Sequence, residues 1–250
     1  MPMATPYLLF TCEHASAFVP VAHAKLLRGS KDRGTHRELD IGGLATAKFL
    51  ARQFVAPLFF GRISRLLVDM NRSLANPSVL SPVARTLPEP QQLRLLARYH
   101  TKHWQRIEEH INASLRSHRQ VVHIAVHSFT PALRHDDGRV ETRTADMGLL
   151  YDPRRAGERT LAKAWLGTLR DADPQLRVRR NYPYQGKGDG LATSLRKQHG
   201  PSRYVGFELE VNQALLTPAP DPRVLAALVA SLAGLGFGKG THRIFRYVPE

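Results

Sequence analysis

Two patterns of apolar and polar positions alternate along the chain. Tyr7-Leu8-Leu9-Phe10-Thr11-Cys12, Val121-Val122-His123-Ile124-Ala125-Val126 and Tyr204-Val205-Gly206-Phe207 are short, β-rich runs. Between them lie segments whose apolar residues recur every three or four positions, the period of an amphipathic helix. Strands separated by helices predict an α/β chain with a central, mixed but mostly parallel sheet flanked by helices. Each of the three runs ends in groups able to do chemistry: Glu13-His14, His127, and Glu208 with Glu210. Such sheets bind ligands outside the carboxyl ends of their strands, so these groups are expected to meet at one edge.

The same pattern gives the remaining elements. Asp40 stands at the N-cap or first turn of a helix whose apolar positions are Leu44, Ala47, Phe49, Leu50 and Phe54. Residues 55–60, 66–68, 147–151 and 176–179 are expected as strands, and 156–170 and 222–235 as helices. Residues 91–118 form the most strongly helical segment, with Leu95, Tyr99, His103, Ile107, Ile111 and Leu115 in phase. Prolines break regular structure between Pro77 and Pro90, and Asp136-Asp137-Gly138 signals a turn. The stretch NYPYQGKGDG, 181–190, cannot be regular, and loops of that kind tend to carry binding residues. No repeat or linker divides the chain, so one domain is expected over 1–250.

Composition narrows the field. A length of 250 residues, 42% of them hydrophobic and 23% charged, suits a globular chain with a substantial core and argues against disorder. No run reaches the roughly 18 uninterrupted apolar residues of a membrane helix. The start, MPMATP, has no basic region, and its apolar stretch stops at Glu13, so no signal peptide and a cytoplasmic location are expected. The single cysteine, Cys12, excludes an internal disulfide and a cysteine-based zinc cluster; at the end of a buried strand it reads as a small hydrophobe. The net charge of +15, from 36 Lys and Arg against 21 Asp and Glu, raises nucleic acid as a partner. The basic residues are scattered, however, and a diffuse positive field equally draws a small anionic substrate.

Two histidines and a carboxylate at one sheet edge make a metal-hydrolase site, with His14 and His127 as ligands and a glutamate as base. Glu13 and His14 are adjacent in an extended segment and point to opposite sides, so they do not readily chelate one ion together. His123 shares a side with His127 but lies inside its strand, which predicts a buried, hydrogen-bonded core histidine. His100 and His103 have helical chelating spacing, yet no carboxylate completes that set. In SRLLVDMNR, 64–72, the Arg72 fork and the Asn71 amide suit a substrate carboxylate. The plain alternative is a turn in which Asp69 pairs with Arg65 or Arg72.

The ordered set EHAS and VP (13–20), HRELDIGG (36–43), SRLLVDMNRS (64–73), AVHSFTP (125–131), GLLYD (148–152), NYPYQG (181–186) and FELEVNQAL (207–215) resembles the N-formylglutamate amidohydrolase family over nearly the whole chain. The resemblance implies a phosphorylase/hydrolase-like fold, similar to zinc carboxypeptidases, aspartoacylases and the zinc amidases that cut muramoyl-alanine bonds, with one zinc at the strand ends. It implies that His14 and His127 bind the metal, that Asn71 and Arg72 grip a substrate carboxylate, that Arg65 polarises the scissile carbonyl, and that Glu210 is the base with Glu208 as its alternative. The 181–190 loop, through Asn181 and Tyr184, is expected to add substrate contacts.

Carboxypeptidases and aspartoacylases carry a glutamate three residues after the first histidine, where this chain has Ala17. The third ligand is therefore taken as Asp40, because the related zinc amidases draw an acid from that helix, and Glu13 is the alternative. The activity implied is hydrolysis of a small anionic N-acyl amino acid such as N-formylglutamate. A zinc amidase or peptidase on a larger wall peptide would show an open groove instead of a pocket. A non-catalytic nucleic-acid-binding relative would show a contiguous basic face with aromatic side chains.

Overall fold

In the computed structural model, which describes residues 6–134 and 137–238, β1 (Tyr7–Cys12) leads directly into Glu13 and His14. Then come α1 (Gly43–Phe54), β2 (Leu58–Phe60), α2 (Glu89–Leu95), α3 (Lys102–Ser117) and β3 (Val121–Phe129). They are followed by β4 (Ala132–Arg134), β5 (Val140–Thr142), β6 (Met147–Leu150), α4 (Ala156–Ala172), β7 (Val178–Arg180), α5 (Leu191–Gln198), β8 (Tyr204–Asn212) and α6 (Pro222–Gly234). Six strands form one sheet in the order β2-β1-β3-β8-β6-β7. The first four are parallel, while β6 is antiparallel to β8 and parallel to β7. This is the mostly parallel mixed sheet that the alternation of runs predicts. Strands β4 and β5 pair apart from it. Of the turn expected at 136–138, Asp136 lies outside the described residues, and Gly138 has φ 83°.

Side-chain parity sorts the sheet into two faces. Leu8, Phe10, Cys12, Val122, Ile124, Val126, Phe207, Leu209 and Val211 share one core with residues of α1, α4 and α6. Tyr7, Leu9, Val121 and Tyr204 share another with Ile107 and Ile111 of α3 and Leu191 and Leu195 of α5. On that second face the same parity continues into polar residues: Thr11, His123, His127, Glu208 and Glu210. His123 is fully buried, with Nε2 2.8 Å from Thr11 Oγ1 and Nδ1 2.7 Å from Tyr204 Oη. Burial drives its imidazole down to about 4, so it is a neutral core residue.

Several elements differ from the sequence pattern for identifiable reasons. Helix α1 begins at Gly43 behind Gly42, which has φ 78°; Asp40 therefore precedes the cap and its carboxylate is free for other work. The strand expected at 55–60 shrinks to β2 because Val55 ends α1 in the left-handed region, at φ 50°. No strand forms at 66–68. There Leu67 N bonds Ser64 O at 2.9 Å, and the turn buries Leu67, Val68 and Met70 in a separate cluster with Val79 and Leu80. A single antiparallel bridge, Val68 to Leu80, is all the ladder that remains. The long helix begins at Glu89 and passes through a π-helical turn, Leu96–Thr101, between α2 and α3. The strand expected at 176–179 starts at Val178.

One buried charge network holds the loops over the sheet. Glu158 is fully buried and takes Arg196 Nε at 2.9 Å, Arg155 Nε at 3.2 Å and the Asp152 N–H at 2.8 Å. Arg196 also donates to the carbonyls of Gly186 and Gly206, at 2.5 and 2.8 Å, and so ties the 181–190 loop to β8. Removing one side of a buried pair strands the other charge. Glu158→Ala is accordingly expected to lower the unfolding free energy by about 3–5 kcal/mol, read from urea midpoints. Arg154→Ala, whose exposed guanidinium meets Asp152 at 2.8 Å at the surface, should change it little.

Candidate active site

The carboxyl ends of β1, β3 and β8 open on a cleft of about 620 Å³. Its walls include His14, Asp40, Arg65, Asn71, Arg72, His127, Tyr184, Glu208 and Glu210. Two backbone contacts shape it. The Asp40 N–H donates to the His14 carbonyl at 2.9 Å, which lays the segment before α1 across the end of β1. Gly61 crosses so close that a Cβ there would sit 1.9 Å from the Glu13 carbonyl oxygen.

His14, Asp40 and His127 are all buried, and one ligand atom from each lies within 4.8 Å of the others. Asp40 Oδ2 stands 3.3 Å from His14 Nδ1 and 2.7 Å from His127 Nδ1. The far ring nitrogens face two further acids. His14 Nε2 is 2.8 Å from Asp69 Oδ1, and His127 Nε2 is 3.0 Å from Glu13 Oε2. A tautomer with both protons on Nε2 would turn the two Nδ1 lone pairs towards Asp40, with room for a cation between them. Metal-binding histidines are oriented in this way by carboxylates behind them. Two imidazole nitrogens and one carboxylate oxygen form a donor set that fits a divalent cation.

Glu13 thus lies behind the His127 ring and outside the converging group. Asp69, which the plain alternative would pair with Arg65 or Arg72, makes an ion pair with neither among the described residues and turns to His14. Its Oδ1 also accepts the Asn71 N–H at 2.9 Å, a tight turn that fixes the carboxylate. An acid at the end of an apolar run was the only sequence signal for it.

The electrostatics follow from burial opposed by pairing. Burial and Arg65 lower the His14 imidazolium, but Asp69 and Asp40 outweigh them and the net shift is upward. Burial likewise opposes the His127 imidazolium, and its bonds to Asp40 and Glu13 still raise it well above its usual value. Burial would raise the Glu13 carboxyl, yet His127 holds it down to about 2. Glu210 behaves oppositely. Its Oε2 is sealed from solvent with no hydrogen-bond partner. Burial drives its carboxyl up to about 8; His127 opposes this, and Asp40 and Glu208 add to it.

Arg65 places Nη1 3.0 Å from His14 Nδ1 and 3.6 Å from Asp40 Oδ1, with its other amine on the His36 carbonyl. Asn71 Oδ1 accepts the Leu191 N–H at 2.9 Å, leaving Nδ2 3.5 Å from both His127 Nε2 and Glu208 Oε2. Arg72 Nη1 donates to the Asp189 carbonyl at 2.8 Å. Tyr184 stands on the cleft wall, half exposed. Asn181 does not reach it. With φ 47°, its side-chain oxygen accepts the N–H groups of Tyr151 and Gly186 at 3.0 and 3.1 Å, so it shapes the loop. His103 lines a different cavity, of about 910 Å³, with Phe59, Phe60, Arg98, Tyr99 and Lys102; among the described residues no comparable donor set is present there.

A sequence profile of the family described as N-formylglutamate amidohydrolase matches residues 7–217. No curated protein matches the chain. Among solved structures, a gene product of Agrobacterium tumefaciens is 28% identical, with a TM-score of 0.76 over 93% of this chain and 92% of its own. An N-formylglutamate amidohydrolase from Ralstonia eutropha is 20% identical, with a TM-score of 0.66 over 94% and 96%. At that identity the likeness speaks to the fold alone.

Two measurements check the site's geometry. Glu13→Gln and Asp69→Asn keep the shape but remove the charge behind each imidazole. Each should weaken divalent-cation affinity about 10- to 100-fold in competition with a chelating dye. The second measurement uses cation-free protein. The Glu210 carboxyl rises from 4.5 to about 8 on folding, and the His127 imidazole rises from 6.5. For both groups the native state keeps protons that the unfolded chain gives up, so stability present at lower pH is lost as pH climbs towards 8 and beyond. Between pH 7.5 and 8.5, where the depressed imidazoles of His103 and His123 are almost wholly neutral in both states, the melting temperature should fall. Glu210→Gln should flatten that fall, and an unchanged slope in this variant would remove Glu210 as its source.

Proposed function

Because the chain belongs to the N-formylglutamate amidohydrolase family, we propose that it is a zinc-dependent amidohydrolase that cleaves the amide of a small N-acyl amino acid, N-formylglutamate foremost. The observation that carries this reading is the convergence of His14, Asp40 and His127 in one cleft with Glu210, whose buried carboxyl oxygen has no partner. A cleft of about 620 Å³ suits a small ligand better than a wall peptide. A cytoplasmic setting belongs to the same proposal; among the described residues no helix is long and apolar enough to cross a membrane.

His14, Asp40 and His127 would hold the zinc, which when bound supplies Lewis acidity, acidifying water and polarising an amide carbonyl. Glu210 takes the proton of the attacking water on its carboxylate and passes it to the leaving amine nitrogen. Arg65, beside His14 and Asp40, directs its N–H groups at the oxygen of the scissile carbonyl as negative charge develops there. Asn71 Nδ2 and the Arg72 guanidinium receive a substrate carboxylate. The Leu191 N–H on Asn71 Oδ1 and the Asp189 carbonyl on Arg72 keep both side chains aimed into the cleft.

Metal analysis joined to a deformylation screen over N-formyl amino acids tests the reading. About one zinc per chain and formate release from N-formylglutamate are expected; no release from any of these compounds by zinc-loaded protein would sink it. Glu210→Gln should retain the cation and lose about 10²- to 10⁴-fold in kcat, and Glu208→Gln much less. Arg72→Lys keeps the charge without the fork, so kcat/KM for acidic substrates should drop while cation content stays the same.

A further inference from the structure

Arg143 lies just past β5 and is only 6% exposed. Its backbone is pinned: the N–H donates to the Pro131 carbonyl at 2.8 Å, and the carbonyl accepts Asn212 Nδ2 at 3.3 Å. The side chain has no such provision. Among the described residues it makes no ion pair, and its Nε is sealed from solvent without a hydrogen-bond partner. Only two arginines there are so buried, and the other, Arg196, has Glu158 at 2.9 Å.

Arg143 stands beside two of the residues that line the cleft. Its guanidinium carbon stands 5.6 Å from the centroid of the Tyr184 ring, and Tyr184 walls the cleft, as does His36. His36 feels the same charge: burial, Arg37 and Arg65 lower its imidazole, and Arg143 adds to the shift. A cation over an aromatic face is stabilised, but this contact offsets only part of the cost of burying an unpaired guanidinium. The remaining cost points to a negative charge that the chain itself does not supply.

We infer that Arg143 is the specificity determinant of the cleft, its guanidinium receiving a second carboxylate, the one on the side chain of the amino-acid substrate. This rests on the amidohydrolase reading above, in which Asn71 and Arg72 hold the first carboxylate. A dicarboxylic N-acyl amino acid satisfies both positions. One with an apolar side chain leaves Arg143 buried and unpaired, and that penalty rejects it. Tyr184 shields the pair from water, which strengthens it.

Arg143→Met keeps much of the side-chain volume and removes the charge. In zinc-loaded protein, the ratio of kcat/KM for N-formyl-L-glutamate to that for N-formyl-L-leucine should collapse about 10²-fold, and Arg143→Lys should restore part of it. The melting temperature should not fall, because the deleted charge had no partner. Equal losses on both substrates with a lower melting temperature mark a merely structural arginine and overturn the inference. Calorimetry with glutarate and butyrate needs no turnover: the parent protein should prefer glutarate and Arg143→Met should not. A variant that keeps the preference, or a parent protein without one, overturns the role of Arg143 while leaving any measured deformylase activity intact. Loss of the preference in protein that hydrolyses neither formyl compound supports the dicarboxylate site and sinks only the amidohydrolase reading.

Discussion

Three acids packed around two imidazoles set the terms for everything at the strand ends. Glu13, Asp40 and Asp69 each have an imidazole nitrogen within hydrogen-bonding or ion-pair reach, at 3.0, 2.7 and 2.8 Å. Burial would raise all three carboxyls, yet pairing holds Glu13 at about 2 and the other two well below the ordinary range. Formal charge explains how such a cluster tolerates two states. Three carboxylates with two imidazolium ions leave one negative charge, and so do three carboxylates with two neutral imidazoles and one dication. Arg65, at 3.6 Å from Asp40, balances what is left in either case. Two protons and one dication are thus equivalent in charge, so a donor set of this kind can be assembled in the fold without a cation.

The cluster sits where it does because of how the sheet is covered. Helices α3 and α5 bury the apolar part of one face, around Leu9, Val121 and Tyr204. Further along the strands the same parity presents His127 and Glu210, which lie opposite each other in the β3–β8 register. Parallel strands deliver these residues to the same end. The third member of the group depends on backbone geometry instead. Gly42, in the left-handed region, turns the chain into α1 without any side-chain cap, so Asp40 is relieved of capping and reaches the histidines.

Period and spacing made much of this legible in the sequence. The three strands that end in chemistry, and the histidine inside β3 that would be core, follow from alternation alone, because side-chain direction in a strand is set by parity. Asp40 was legible only through its place ahead of a helix and through family resemblance. What the sequence could not show were side-chain partnerships across long separations. The pairing of Asp69 with His14 spans 55 residues, and a tight turn at Asn71 decides it. The short apolar run at 66–68 could be strand or turn; burial against Val79 and Leu80 settled it as turn. Asn181 shows the opposite limit. It has the chemistry of a binding residue, but a positive φ and two backbone amides commit it to its own loop.

Why Glu210 carries a strongly raised carboxyl is a matter of what lies across the sheet. Glu208 and Glu210 point to the same face, two residues apart. Glu210 pairs with Gly148 on β6, and the loop beyond β7 presses so closely there that a Cβ on Gly148 would overlap the Tyr182 carbonyl oxygen, 1.6 Å away. Glu210 lies beside this contact and is only 4% exposed. Glu208 lies opposite Leu150, is only partly buried, and has the Asn71 amide at 3.5 Å. A carboxyl that is dry and unpartnered rises. The glycine is therefore tied to the chemistry through packing: a larger side chain at 148 would force the 181–190 loop outward, wet Glu210, and return its carboxyl towards the ordinary range.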